Sequence, residues 1–451
     1  FVFQFTSNVS GPFLDWVDVF INEFIFEWTG RALELAGLGD SWISSLITDG
    51  VIAGVGGVLV FVPVLLFLYL ALGIMEDSGY MARAAFVMDR VMRWMGLHGK
   101  SFLPMIIGFG CTVPAVYATR TLDNDKDRKL TAFLATFMSC GARLPVYVVF
   151  GAAFFGASSG TLVFALYILG IVVALITGIV MKNTVYQSQP PAPFVMELPP
   201  YRIPRPKDVW NQMWERTQGF LVKSGTVILG VSIALWLLMA IPAHQDTGPF
   251  NQVQAGDSLF GRISGLIAPV FNPAGFGSWQ TTGSLVTGIL AKEVIVSSMS
   301  QIYAGESHST GDMSVSLRDE MVSVGVGFGQ AALLTIQETI NIFPRTINLI
   351  PFLDVGELDF FQLESGQLDY TRLEGSLIKS FAKSAGSPEA GPIAAVAFNV
   401  FVLLYIPCIS AISAMRLEFG RRMMWAQIFY TFIIAWVGAV AVFQVGKLIF
   451  L

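Results

Sequence analysis

The chain has 451 residues, of which 54% are hydrophobic and only 13% charged, with 37 Phe and 10 Trp. Soluble domains carry about 25% charged residues, so this balance and a mean hydropathy of +0.64 exclude a water-soluble protein and indicate an integral membrane protein. A net charge of −5 leaves no basic face for nucleic acid, and three cysteines cannot staple a small secreted scaffold.

A helix needs about 20 apolar residues to cross a bilayer. Phe1–Phe5 lacks the basic flank and cleavage site of a signal peptide and reads as the tail of a span that starts earlier. Pro12–Gly37 alternates Phe, Trp and Ile with Asp and Glu at helical spacing, the pattern of an amphipathic helix on the membrane surface. Uncharged runs then predict spans at Gly50–Met75, Thr161–Met181, Ser224–Ala243, Pro392–Met415 and Met423–Gly446. Three further runs are long enough but carry charge: Leu130–Gly156 with Arg143, Thr281–Gly305 with Lys292 and Glu293, and Met321–Leu353 with Glu338 and Arg345.

Lys and Arg collect on the cytoplasmic side. Lys182–Lys223, Arg120–Lys129 and Arg416–Arg422 are basic and are expected there, whereas Pro12–Asp49, with seven acids against Arg31, and Asp354–Glu389 are expected outside. Phe102–Thr119 is apolar but has basic residues on both flanks, so it is expected to enter the membrane and return. Pro104, Gly108, Gly110 and Pro114 within it supply broken backbone, which survives at membrane depth only where it lines protein or water. Pro190–Pro206, with seven prolines, is expected to be an extended linker. The predicted architecture is an all-α, polytopic helix bundle with two inverted repeats and re-entrant or broken helices. Its expected parts are 1–49 (end of a span and outer helix), 50–181 (first repeat), 182–223 (cytoplasmic linker and amphipathic helix) and 224–451 (second repeat, with an acidic insertion at about 354–391).

Two short stretches echo each other. Gly110-Cys111-Thr112-Val113-Pro114 precedes Arg120, and Pro407-Cys408-Ile409-Ser410 precedes Arg416. Paired broken helices in corresponding positions mark the midplane site of a transporter. All three cysteines, Cys111, Cys140 and Cys408, fall in apolar runs beside a helix breaker or small residues. As buried small hydrophobes they need no function. As thiolates beside exposed carbonyls they suit a borderline-soft metal such as ferrous iron better than Na⁺ or Mg²⁺. Met138 and Ser139, next to Cys140, are candidate helpers in the same path. Glu293 is either a cation ligand or a structural hydrogen-bond partner, and Lys292 beside it needs a partner of its own. Glu76 and Asp77 close a span at the cytoplasmic edge, where solvation explains them as well as a metal does. Arg143 is expected to tie exposed carbonyls. Gly99-Lys100-Ser101 is not a phosphate loop, because Trp94 stands where that motif requires Gly.

Longer blocks carry a family resemblance. Glu76-Asp77-Ser78-Gly79-Tyr80-Met81-Ala82-Arg83, Gly108-Phe109-Gly110-Cys111, Ala118-Thr119-Arg120-Thr121-Leu122, Met138-Ser139-Cys140-Gly141-Ala142-Arg143, Pro193-Phe194-Val195-Met196-Glu197-Leu198-Pro199, Ala291-Lys292-Glu293-Val294 and Tyr405-Ile406-Pro407-Cys408 resemble the membrane domain of the ferrous iron transport protein B family. Only Glu306–Gly391 resembles it weakly, as a variable loop region. The resemblance implies a ferrous iron permease of the bacterial inner membrane built from two gate repeats and not itself an enzyme. Fe²⁺ is then the cargo, with no permanently bound cofactor. GTP and Mg²⁺ would act only through an N-terminal GTPase domain, which is expected to be missing here because no guanine-specificity motif is present. Implied partners are the lipid bilayer, that GTPase domain, small cytoplasmic Feo accessory proteins and further copies of the chain. Two rival readings share the broken helices: an ion-coupled transporter of a small, nucleoside-like solute, which has no need of thiolates, and a membrane thiol oxidoreductase, which would need two cysteines within disulfide reach.

Overall fold

A computed structural model describes residues 2–39, 41–185, 200–243, 250, 253, 255–296, 298, 299, 317–347 and 371–451. Pro190–Pro199 of the expected linker and residues 354–370 of the expected insertion lie outside them. In chain order the helices are α1 (Val2–Val19), α2 (Phe26–Leu35), α3 (Trp42–Asp77), α4 (Tyr80–Trp94), α5 (Phe102–Gly110), α6 (Thr112–Ala118), α7 (Asp125–Ala135), α8 (Leu144–Phe155), α9 (Ser159–Thr184), α10 (Pro206–Ala240), α11 (Leu259–Ile267), α12 (Trp279–Thr287), α13 (Leu317–Ile347), α14 (Thr371–Ala385), α15 (Gly391–Leu404) and α16 (Ile409–Phe450). Among the described residues there is no β-strand, and α3, α9, α10 and the run Gly391–Phe450 are long and apolar enough to cross a membrane. The protein is an all-α, multi-pass membrane protein.

Prolines mark where these helices start. Pro145, Pro206 and Pro392 each sit in a first turn, where the missing N–H has no helical partner to lose. Breaks also fall where local chemistry demands them. The run expected as one span at Pro392–Met415 divides at Tyr405–Cys408, because Pro407 cannot donate and disfavours helix at Ile406 before it. Leu130–Gly156 likewise divides, into α7 and α8. Phe102–Thr119 breaks at Cys111, whose backbone is extended (φ −152°, ψ 132°). At 1.5 Å per residue α5 and α6 are only about 14 and 10 Å long, each well short of a bilayer core of about 30 Å.

Two compact units emerge, each drawing on separate stretches of chain: 1–80 with 200–236 and 308–368, and 81–199 with 237–307 and 369–451. In the first, Pro12 lies inside α1, so the helix expected to open there continues from Val2. Trp16 donates through Nε1 to the Val324 carbonyl (3.0 Å), and its ring meets Phe328 edge-on at 5.1 Å. Phe13 packs against Phe67 and Phe328. Trp236 Nε1 donates to Ser45 Oγ (2.9 Å), and Ser232 Oγ to the Gly50 carbonyl (3.0 Å). These contacts fix α1, α3, α10 and α13 side by side.

In the second unit α15 is apolar all round and almost wholly buried, the signature of a helix at the centre of a bundle. Phe398 stacks on Phe150 (4.9 Å) and meets Phe276 and Phe381 edge-on, while Phe401 stacks on Tyr405 (5.2 Å). Residues 371–385, expected within a variable loop, instead form α14, whose Leu377 and Phe381 are completely buried in this core. The loop reading rested only on weak family resemblance; Leu377 and Phe381, one turn apart, are the local signal for this helix. The long α16 kinks at Gly420, the one place in it where a left-handed backbone (φ 83°) admits only glycine without strain. Just before that kink, Glu418 is held by Arg120 (Nε–Oε2 2.9 Å, with a second contact from the same guanidinium) and lies 3.7 Å from Arg128.

Candidate metal path at the helix breaks

Four breaks in the second unit carry the candidate residues. At the first, the Cys111 amide donates to Ile107, and Cys111 then opens α6 from an extended backbone. At the second, α7 ends at Ala135, and an extended Cys140 (φ −77°, ψ 161°) leads into the turn Gly141–Arg143. These two breaks touch: Gly141 faces the Gly110 carbonyl, and Gly108 faces the Ala135 carbonyl and the Met138 side chain.

At the third break the run expected as a continuous span over Thr281–Gly305 stops at Thr287. Lys292 and Glu293 therefore sit in consecutive turns and do not diverge on a helix as their adjacency in sequence implied. At the fourth, Tyr405–Cys408 separates α15 from α16. The third and fourth also interlock. Ile409 N donates to the Ile289 carbonyl (2.7 Å), Tyr405 Oη to the Leu285 carbonyl (3.4 Å), and Lys292 Nζ to the Ile406 carbonyl (2.6 Å). Gly288 is required at this crossing, because a Cβ there would lie 2.6 Å from the Tyr405 hydroxyl oxygen and 2.4 Å from Ile295.

Each pair of breaks holds one buried cation. Arg143, 1% exposed, donates to the carbonyls of Met138 (3.0 Å) and Thr136 (3.3 Å), the structural tie expected of it. Lys292, 2% exposed, takes the Ile406 carbonyl and lies 3.0 Å from the centroid of the Tyr405 ring. Both thus satisfy backbone oxygens that the breaks release, which would otherwise be orphaned inside the protein.

Cys111 and Cys408 each lie within electrostatic reach of Cys140 and Glu293, and all three thiols are free and partly accessible. Glu293 keeps Oε2 buried and without a hydrogen-bond partner. An orphaned carboxylate oxygen of this kind calls for an explanation such as an ion. Ser139 donates to the Tyr147 hydroxyl (3.3 Å) and Met138 is buried against α5, so both shape the wall around Cys140. Among the described residues no three His, Cys, Asp or Glu side chains form a ready metal cage.

Glu76 and Asp77 belong to the first unit and are engaged by cations. Glu76 accepts from Arg216 (3.0 Å) and Gln212 (3.1 Å), and Asp77 accepts from the Arg202 side chain and the Arg205 amide (3.0 Å). The residues that sequence reasoning missed are Tyr405, which supplies a ring to Lys292, and Ile406, which supplies a carbonyl. The only local signal for the latter was its place before Pro407.

Residues 58–154 and 221–422 match the family model described as "Gate: Nucleoside recognition", and residues 163–216 match "Ferrous iron transport protein B C terminus". Among curated proteins, the chain is similar to the Fe(2+) transporter FeoB of Staphylococcus aureus (strain COL), with 36% identity over 449 residues, 99% of this chain and 56% of that protein. It is also 37% identical over 452 residues to the Fe(2+) transporter FeoB of Escherichia coli (strain K12), covering 99% of this chain and 55% of the relative. The chain thus spans about half the length of the curated relatives it matches. No solved structure matches it.

Proposed function

Because this chain belongs to the Gate family and a further stretch matches the ferrous iron transport protein B C terminus, we propose that it forms the membrane path by which Fe²⁺ crosses a bacterial inner membrane into the cytoplasm. The observation that carries this reading is the placement of three free cysteines and an orphaned glutamate oxygen at helix breaks of one compact unit. Cys111, Cys140 and Cys408 hand the ion from one soft donor to the next, with Glu293 as the acidic helper and the wall around Cys140 completed by Met138 and Ser139. Conduction needs sites that release as readily as they bind, so spaced donors serve better than a closed cage. Thiolate donors favour ferrous iron over a small organic solute, which would leave them unused.

In this reading the path holds no permanent cofactor, and Fe²⁺ is cargo. A GTPase domain, with GTP and Mg²⁺ bound to it, gates the path in the full-length protein. Feo accessory proteins and association of copies of the chain act on that assembly. The two repeats are 50–181 and 224–451, with Phe102–Thr119 re-entering from the cytoplasmic side. The test is Fe²⁺ uptake by cells that depend on the full-length protein, carrying Cys→Ser at each position. Ser keeps the size and removes the soft donor, so Cys408→Ser is expected to cause a large loss of flux with normal expression. Undiminished flux in the triple Cys→Ser variant would return the cysteines to a packing role.

A further inference from the structure

Lys292 and Arg143 both hold carbonyls at helix breaks, but they differ in one respect. Arg143 bonds carbonyls five and seven residues away on its own break. Lys292 reaches 114 residues along the chain, to the carbonyl two positions before Cys408. Two groups that receive cations hold it, a carbonyl oxygen at 2.6 Å and the face of the Tyr405 ring at 3.0 Å, while the like charge of Arg143 and the acidic groups Cys408, Cys140 and Glu293 act on it through space. Carbonyl oxygens and aromatic faces are the groups that receive desolvated cations in proteins. The ammonium is a compact point charge on a flexible four-carbon stem, so it can leave such a place without unfolding the helices around it.

We propose that Lys292 is a tethered cation occupying a cargo position, so that the Ile406 carbonyl beside Cys408 is closed to a free cation until the ammonium swings away. The proposal rests on the reading of Cys408 as a donor in the path and adds the element that gates it. Lys292 then excludes cations from Cys408 in two ways: it fills the oxygen they would use, and it repels them. A neutral molecule of the same size meets only the packing.

That difference supplies an iron-free test on the full-length protein. Two methanethiosulfonate reagents of matched size, one bearing a trimethylammonium group and one neutral, are applied, and modification of Cys408 is followed by peptide mass spectrometry. With Lys292→Met the rate for the cationic reagent relative to the neutral one is expected to rise by roughly tenfold, from the loss of like-charge repulsion in a partly desolvated site. Lys292→Arg, which keeps the charge, is expected to leave the ratio as in the native chain. If Lys292→Met does not fold, Lys292→Gln takes its place, because its amide still donates to the Ile406 carbonyl without charge. An unchanged ratio in the neutral variant overturns the proposal, and equal acceleration of both reagents does so too, since it shows that Lys292 only packs. The cargo reading stands or falls separately, on the Cys→Ser uptake measurement.

Discussion

Gly288→Ala puts one methyl group at the crossing of the two breaks that carry Lys292 and Cys408. The native backbone at Gly288 (φ −65°, ψ −9°) suits any residue, so the substitution acts through space alone. The added Cβ would stand 2.4 Å from Ile295 Cγ1 and 2.6 Å from Tyr405 Oη. Contact between such atoms normally starts near 3.4 Å, so the neighbours must retreat by about 1 Å. Neither can do so freely. Ile295 is 0% and Tyr405 2% exposed, and the Tyr405 hydroxyl is bonded to Leu285. Overpacking of this kind costs about 1–3 kcal/mol. The expected outcome is a lowered unfolding midpoint in detergent. Gly160→Ala is the control: nothing lies within 4 Å of its Cβ position, and a change within about 0.5 kcal/mol is expected. A Gly288→Ala protein as stable as the Gly160→Ala protein would refute the tight crossing.

Arg143→Met should destabilise the chain by about 3–5 kcal/mol, since it strips charged donors from the carbonyls of Met138 and Thr136 and leaves them buried; denaturant unfolding alongside Arg143→Lys, which can keep one of the two bonds, measures the loss. Asp127 is 2% exposed near the start of α7, and burial raises its carboxyl pKa against the opposing effect of Lys126 and His98. Its ionised form is therefore disfavoured in the fold, and stability should fall as pH rises from the ordinary carboxylate value of about 4 through the raised folded value. Asp127→Asn should flatten that slope in unfolding curves recorded across the same window, and an unaltered slope would count against the burial argument.

The break at Cys111 could be read from sequence because its causes, Gly110 and Pro114, are local. Gly141 and Pro407 are local signals at Cys140 and Cys408 too, although Leu130–Gly156 and Pro392–Met415 were expected as single runs. The break after Thr287 has no proline, and its residues are as apolar as any span, so Thr281–Gly305 looked continuous. Only the costly Lys292-Glu293 pair and Gly288 hinted otherwise. What sequence does not disclose is which break meets which. The Lys292–Ile406 bond joins residues far apart in the chain, where the turn after Thr287 meets the break Tyr405–Cys408, and no local pattern encodes it. The same holds for Glu76 and Asp77, whose partners Arg216 and Arg202 lie beyond a proline-rich stretch. Their position at a span end was legible, but their commitment to arginines was not.

The clasp of Arg120 and Arg128 on Glu418 has a mechanical consequence. Arg120 lies nine residues after Cys111 and Glu418 ten after Cys408, so the two cysteine-bearing segments are pinned together at their far ends. Gly420 follows at once and frees the rest of α16 from them. The pinned pair therefore behaves as a clip: a push on the long remainder of α16 bends at Gly420, whereas a push on the clasp reaches both thiols together. Anything that pulls on this charged edge must move Cys111 and Cys408 as one piece.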